Sequence, residues 1–196
     1  GNNLTITGDV SNSGTGTVAS SISSNISIAS ASSLTGALSF SASGNNVNNF
    51  TVNIGGNGSV LIASDLVVNG SLNLVSGYLN IGNNNIEISS SGSITGGVST
   101  CYIITGATGE LSMHLTAGIG SETMFPVGTS IQFCPANIEL NTGSSSGLVS
   151  VGVGANVYNQ GTGGIDVSIN QPLVDATWFV SSNITSNLNM NLELVW

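Results

Sequence analysis

Between residues 60 and 88 one short pattern recurs: an apolar residue, any residue, an apolar residue. It reads Val60-Leu61-Ile62, Leu66-Val67-Val68, Leu72-Asn73-Leu74, Leu79-Asn80-Ile81 and Ile86-Glu87-Ile88, with starts six or seven residues apart. In a strand the first and third residues of such a triplet point to one face. Between the triplets stand Asn69-Gly70, Ser76-Gly77 and Gly82-Asn83, with Ser91-Gly92 after the last. These residue types accept the left-handed backbone that sharp corners need. Three triplets make a step of 19 or 20 residues, from Val60 to Leu79 and from Leu66 to Ile86. That is the period of one coil of a three-sided parallel β-helix.

Leu4-Thr5-Ile6, Ile26-Ser27-Ile28, Leu38-Ser39-Phe40 and Phe50-Thr51-Val52 extend the pattern towards residue 1 with less even spacing. Residues 1–98 are therefore read as a solenoid of about five coils, rising ~24 Å at the usual strand spacing. A meander of antiparallel hairpins is the competing reading, but the triplets are short for hairpins and their spacing is too even. Leu72, Leu74, Leu79, Ile81, Ile86 and Ile88 should be buried, with Asn73, Asn80 and Glu87 outside.

Past residue 98 the grammar changes. Longer alternating runs follow at 101–105, 111–116, 124–127, 131–134, 137–140, 148–153, 165–169, 178–181 and 188–195, separated by Gly-, Ser- and Asn-rich stretches. Residues 99–196 are read as an antiparallel β-sandwich. In the last run the even-numbered residues Leu188, Met190, Leu192 and Leu194 should face a core. The fold class expected is all-β, a parallel β-helix followed by that sandwich; no stretch carries a helical apolar stripe.

Composition narrows the function. The chain of 196 residues is 40% hydrophobic but only 5% charged, with nine acids and no Lys or Arg. A formal charge of −9 with no side-chain cation but one His argues against nucleic acid and against anionic membrane surfaces. Schiff-base chemistry, a P-loop and a Lys–Asn isopeptide staple all need the missing lysine. No run of about 18 apolar residues is present, so no membrane-spanning helix is expected. The chain begins at Gly1 without a charged leader region and ends in what reads as mid-strand, as expected of a processed or excised piece of something longer.

The two cysteines, Cys101 and Cys134, are too few and too far apart for a zinc or redox motif. They read as a structural disulfide in an oxidising compartment, against the alternative of two buried free thiols. The bond would close a loop of about 33 residues, worth ~3 kcal/mol in the chain-entropy model.

Candidate chemistry is sparse. His114 is the one histidine, out of phase with its apolar neighbours and with no acid near it in sequence but Glu110. Asp65 and Glu87 project from neighbouring coils and could approach each other as a glycosidase pair does; two solvated acids is the plainer reading. Tyr78, Tyr102, Tyr158, Trp178 and Trp196 are the candidate sugar platforms, with Trp178 expected in the core. Thr-x-Thr pairs stand only at Thr5–Thr7 and Thr15–Thr17, not once per coil as an ice-binding face would need. No catalytic residue, cofactor or metal ligand is expected.

The run Leu66-Val67-Val68-Asn69-Gly70-Ser71-Leu72-Asn73-Leu74, then Gly77-Tyr78-Leu79-Asn80 and Ser91-Gly92-Ser93-Ile94-Thr95-Gly96-Gly97, resembles the coils of large secreted proteins of Bacteroidota. So do Met124-Phe125-Pro126-Val127-Gly128-Thr129, Pro135, the Thr177-Trp178-Phe179-Val180 strand and the final alternating strand. The resemblance implies type IX secretion, an extracellular or cell-surface location and a role in adhesins or filaments. Two functions follow as expectations. One is a non-enzymatic structural or adhesive module of a surface fibre, partnered by other copies or domains of the same protein, with surface polysaccharide as a further partner. The other is a carbohydrate-binding or accessory region of a secreted polysaccharide-degrading enzyme.

Overall fold

The structure, a computed structural model, describes residues 1–10, 16–118, 120, 122–160, 164–167 and 175–196. Among these residues all regular structure is β. The chain winds coil by coil. An opening strand β1 (Asn3–Ile6) is followed by β2 (Asn25–Ser30), β3 (Ala37–Leu38) and β4 (Asn46–Val47). The next coil is β5 (Asn49–Ile54), β6 (Ser59–Ile62) and β7 (Leu66–Val68), then β8 (Ser71–Ser76), β9 (Tyr78–Gly82) and β10 (Ile86–Ile88). A further coil holds β11 (Ser93–Thr95), β12 (Ile103–Thr105) and β13 (Leu111–Leu115). The remaining strands are β14 (Thr123–Phe125), β15 (Val127–Gly128), β16 (Ala136–Leu140), β17 (Gly147–Gly154), β18 (Thr177–Ser182) and β19 (Met190–Leu194).

The coils stack into three parallel faces, a β-solenoid of about five turns. The first face runs β1-β2-β5-β8-β11, the second β3-β6-β9-β12-β15 and the third β4-β7-β10-β13. Val60 stacks on Leu79 and Leu66 on Ile86, the two steps that the triplet spacing predicts. Elsewhere the corners are longer, as where Asn73 meets Thr51 22 residues back and Asn49 meets Asn25 24 residues back. Stacking therefore follows the inward apolar residues rather than a fixed count. One column reads Leu4, Ile26, Phe50, Leu72, Ile94 up the first face. The six predicted core residues from Leu72 to Ile88 are all buried, and Asn73, Asn80 and Glu87 take the alternate outward positions.

The parallel ladders run on past residue 98. Ile103 pairs with Leu79, Leu111 with Ile86 and Val127 with Ile103, all parallel. Strands expected to open an antiparallel sandwich are thus a further turn of the solenoid. Alternation has the same period in parallel and antiparallel strands, so it could not distinguish them. Within the third face antiparallel pairing begins with β17, which lies along β13 from Leu111↔Val151 to Leu115↔Gly147, and goes on with β18 beyond it. A separate antiparallel sheet, β14-β16-β19, completes this end. In β19 only Met190 and Leu194 pack against the core; Leu188 and Leu192 stay substantially exposed, where burial was expected. The apolar interior is continuous from Ile26 to Ala176.

The Met124–Thr129 run is architectural. Phe125 and Val127 are fully buried, and Gly128 lies so close to its neighbours that a Cβ there would fall 2.3 Å from Gln132 O and 2.8 Å from the Tyr102 ring. That bare backbone lets the chain turn back through Thr129 N–H donating to Gln132 O (2.9 Å) and cover Tyr102.

Candidate functional site

Coil stacking brings His114 and Glu87 together, although they are distant in sequence. β10 pairs with β13 so that Glu87 lies beside Ser112, two positions from His114. His114 Nε2 is 3.5 Å from Glu87 Oε1, both side chains being more than a third exposed. Asp65 does something else: its carboxylate accepts from Asn85 N–H at 2.8 Å and ties one coil to the next. Asp9 repeats the device, accepting from Thr35 N–H at 2.8 Å, and that hydrogen bond holds its carboxyl below the usual range. Among the described residues no group of three or more His, Cys, Asp or Glu side chains converges as a metal site would require.

In place of the expected disulfide the structure holds two buried free thiols. Cys101 Sγ donates to Leu74 O at 3.4 Å, whereas Cys134 Sγ points to Gln132 O at 3.8 Å. The two side chains serve different neighbours, one under the first face and one behind the 129–133 turn. Burial pushes the Cys134 thiol up, away from its reactive thiolate form.

The aromatic candidates divide. Tyr78 and Tyr102 meet edge to face at 4.8 Å, and Tyr102 meets Phe133 at 5.2 Å. Tyr102 is buried, with its hydroxyl donating to Thr129 O at 2.9 Å. Desolvation, with Tyr78 and Cys134 adding to it, pushes its phenol up to about 12. Trp178 packs on the core and donates from Nε1 to Cys134 O at 2.9 Å, while Trp196 lies exposed beside it at 6.4 Å. Tyr158 is half-buried and stands apart from these clusters.

The outer surface of the first face is ordered and uncharged. Two columns climb it, Asn3-Asn25-Asn49-Ser71-Ser93 and Thr5-Ser27-Thr51-Asn73-Thr95. Their side chains bond from coil to coil: Asn25 to Asn3 (2.8 Å), Asn49 to Asn25 (3.0 Å), Asn73 to Thr51 (3.2 Å) and Thr95 to Asn73 (2.8 Å). Sequence reasoning placed Asn73 outside but missed the ladders, because the longer corners hide which residues share a rung.

The two ends of the solenoid differ. At the far end β17 continues the third face antiparallel beyond β13, and Thr105 Oγ1 accepts from Val153 N–H (2.7 Å) while donating to Val153 O (3.0 Å). At the near end β1 is paired on one side only among the described strands. Asn2 O accepts from Asn25 N–H, so by strand alternation the main-chain groups of Asn3 and Thr5 point to the free edge. The apolar column opens there as well: exposure rises from 0% at Phe50 through 3% at Ile26 to 40% at Leu4. Comparison with known protein families, with characterised proteins and with solved structures finds no match to this chain.

Proposed function

We propose that the chain is a non-enzymatic structural and adhesive module of an extracellular bacterial surface fibre or large adhesin, exported by type IX secretion. It joins other copies or domains of the same protein through β-strand contacts. The observation that carries this reading is the asymmetry of the ends. At the near end the edge of β1 lies beside an apolar rung left uncovered at Leu4, whereas at the far end Ile94 packs against the core and β17 and β18 continue the third face. Head-to-tail contacts of that kind propagate rather than close, and an added strand contributes main-chain hydrogen bonds along its whole length. In this reading the strands from β14 and β16 to β19 act as a terminal β-sandwich that each copy presents to the open rung of the next.

The coil-to-coil ladders suit such a load-bearing part, since each rung adds side-chain hydrogen bonds to the main-chain ones. Electron microscopy of the purified chain over a concentration series tests the proposal. Unbranched filaments one solenoid wide are expected, and particles that stay single at all concentrations would contradict it.

A further inference from the structure

We infer that a cleft at the corner between the second and third faces is a binding site for neutral carbohydrate, built around Phe179 and Tyr158. The inference rests on the adhesive reading above and supplies it with a ligand.

Two cavities of about 310 and 480 Å³ share Ala107, Tyr158 and Phe179 as lining and so form one cleft. Its size falls in the range of small-ligand sites. Strand alternation sets the first ring: Trp178 and Val180 of β18 turn onto the core, which sends Phe179 and Ser181 to the outer surface. A glycine makes room for it. A Cβ at Gly154 would lie 3.2 Å from Phe179 Cε2, so any side chain there would press on the ring. Tyr158 is held from the other side, its hydroxyl accepting from Asn156 Nδ2 at 3.1 Å. Both rings are half-buried, and neither joins an aromatic pair among the described residues. They are unlike Tyr102 and Trp178, whose rings are spent on packing.

Polar groups line both parts of the cleft. Asn80, Ser130 and Asn156 line the first part. Glu110 lines the second, with its Oε2 accepting from Ser181 Oγ at 3.4 Å. Two rings with hydrogen-bonding groups around them match a ligand with C–H faces and peripheral hydroxyls, which is a sugar ring. Charge selects among sugars. The chain has no Lys or Arg, so no cation can pair with a uronate, sulfate or sialate, and the Glu110 carboxylate repels them.

The test is calorimetric titration of the purified chain with neutral tetra- to hexasaccharides of glucose, mannose, galactose and N-acetylhexosamine, beside their uronate counterparts. At least one neutral series binds saturably and its uronate counterpart does not. Phe179→Ala and Tyr158→Ala each weaken that binding about tenfold, the loss expected for one ring's packing. Trp196→Ala, an exposed ring outside the cleft, leaves it unchanged. Glu110→Gln, which keeps the shape of the side chain, reduces the discrimination against uronates and serves if either ring variant fails to fold. No binding of any neutral series overturns the inference, as does a preference for uronates, an equal loss in Trp196→Ala, or saturable binding of an apolar peptide that competes with the sugar. Filaments that form without sugar binding would sink this site and leave the assembly reading intact, and the reverse result would do the opposite.

Discussion

Each coil contributes a few fully buried side chains, so single residues carry much of the stability. Leu74 lies almost wholly buried and receives the Cys101 thiol on its own carbonyl. Its neighbours belong to stacked strands that cannot move inwards separately, so Leu74→Ala should cost about 2–5 kcal/mol in urea unfolding. Leu4→Ala, at the open rung, should cost well under half as much in the same experiment. Equal losses at the two positions would mean that the near end is covered.

Tyr102 gives a pH signature at this scale. Its phenol is raised in the folded state by burial first, so the contribution to stability is complete below the ordinary tyrosine range near pH 10 and is lost as pH rises towards about 12. Melting temperatures measured from pH 9 to 12 should fall through that window, and Tyr102→Phe should flatten the fall. The cysteines make a third test: alkylation under denaturing conditions followed by intact mass should find both thiols modified without prior reduction. An unmodified pair would restore the disulfide that the sequence suggested.

At the scale of elements, the legible and illegible parts separate by the length of the corners. Triplets six or seven residues apart led directly to Val60 on Leu79 and Leu66 on Ile86. The approach of Glu87 to His114 was not legible because a 25-residue step, marked by Asn85 Oδ1 accepting from Glu110 N–H, separates their coils. The alternating pattern marks β12, β13 and β15 as strands but does not encode their parallel stacking, whereas β14 pairs antiparallel as expected. The cleft was out of reach for the same reason, since Phe179 meets Gly154 only through the antiparallel register of β17 and β18.

The free edge of β1 is the element on which assembly depends. Thr5→Pro removes a main-chain donor that points away from β2 and leaves the Leu4 and Ile6 side chains in place. It should fold with nearly unchanged melting yet sediment as single particles at concentrations where the parent chain associates. Association undiminished by Thr5→Pro would move the contact to another surface.

For the whole molecule, the central claim is that coils continue from one copy into the next along a common axis. The first and second faces each stack five strands, and the third begins with four parallel ones. In all three the strands lie across the solenoid axis. Fibre diffraction from aligned filaments reads that geometry directly, because strand stacking gives a reflection at ~4.8 Å along the stacking direction. End-to-end joining predicts the ~4.8 Å reflection on the meridian, parallel to the filament. The same reflection on the equator would mean that copies lie side by side with their solenoid axes across the fibre, and the account of an open end that recruits the next copy would be contradicted.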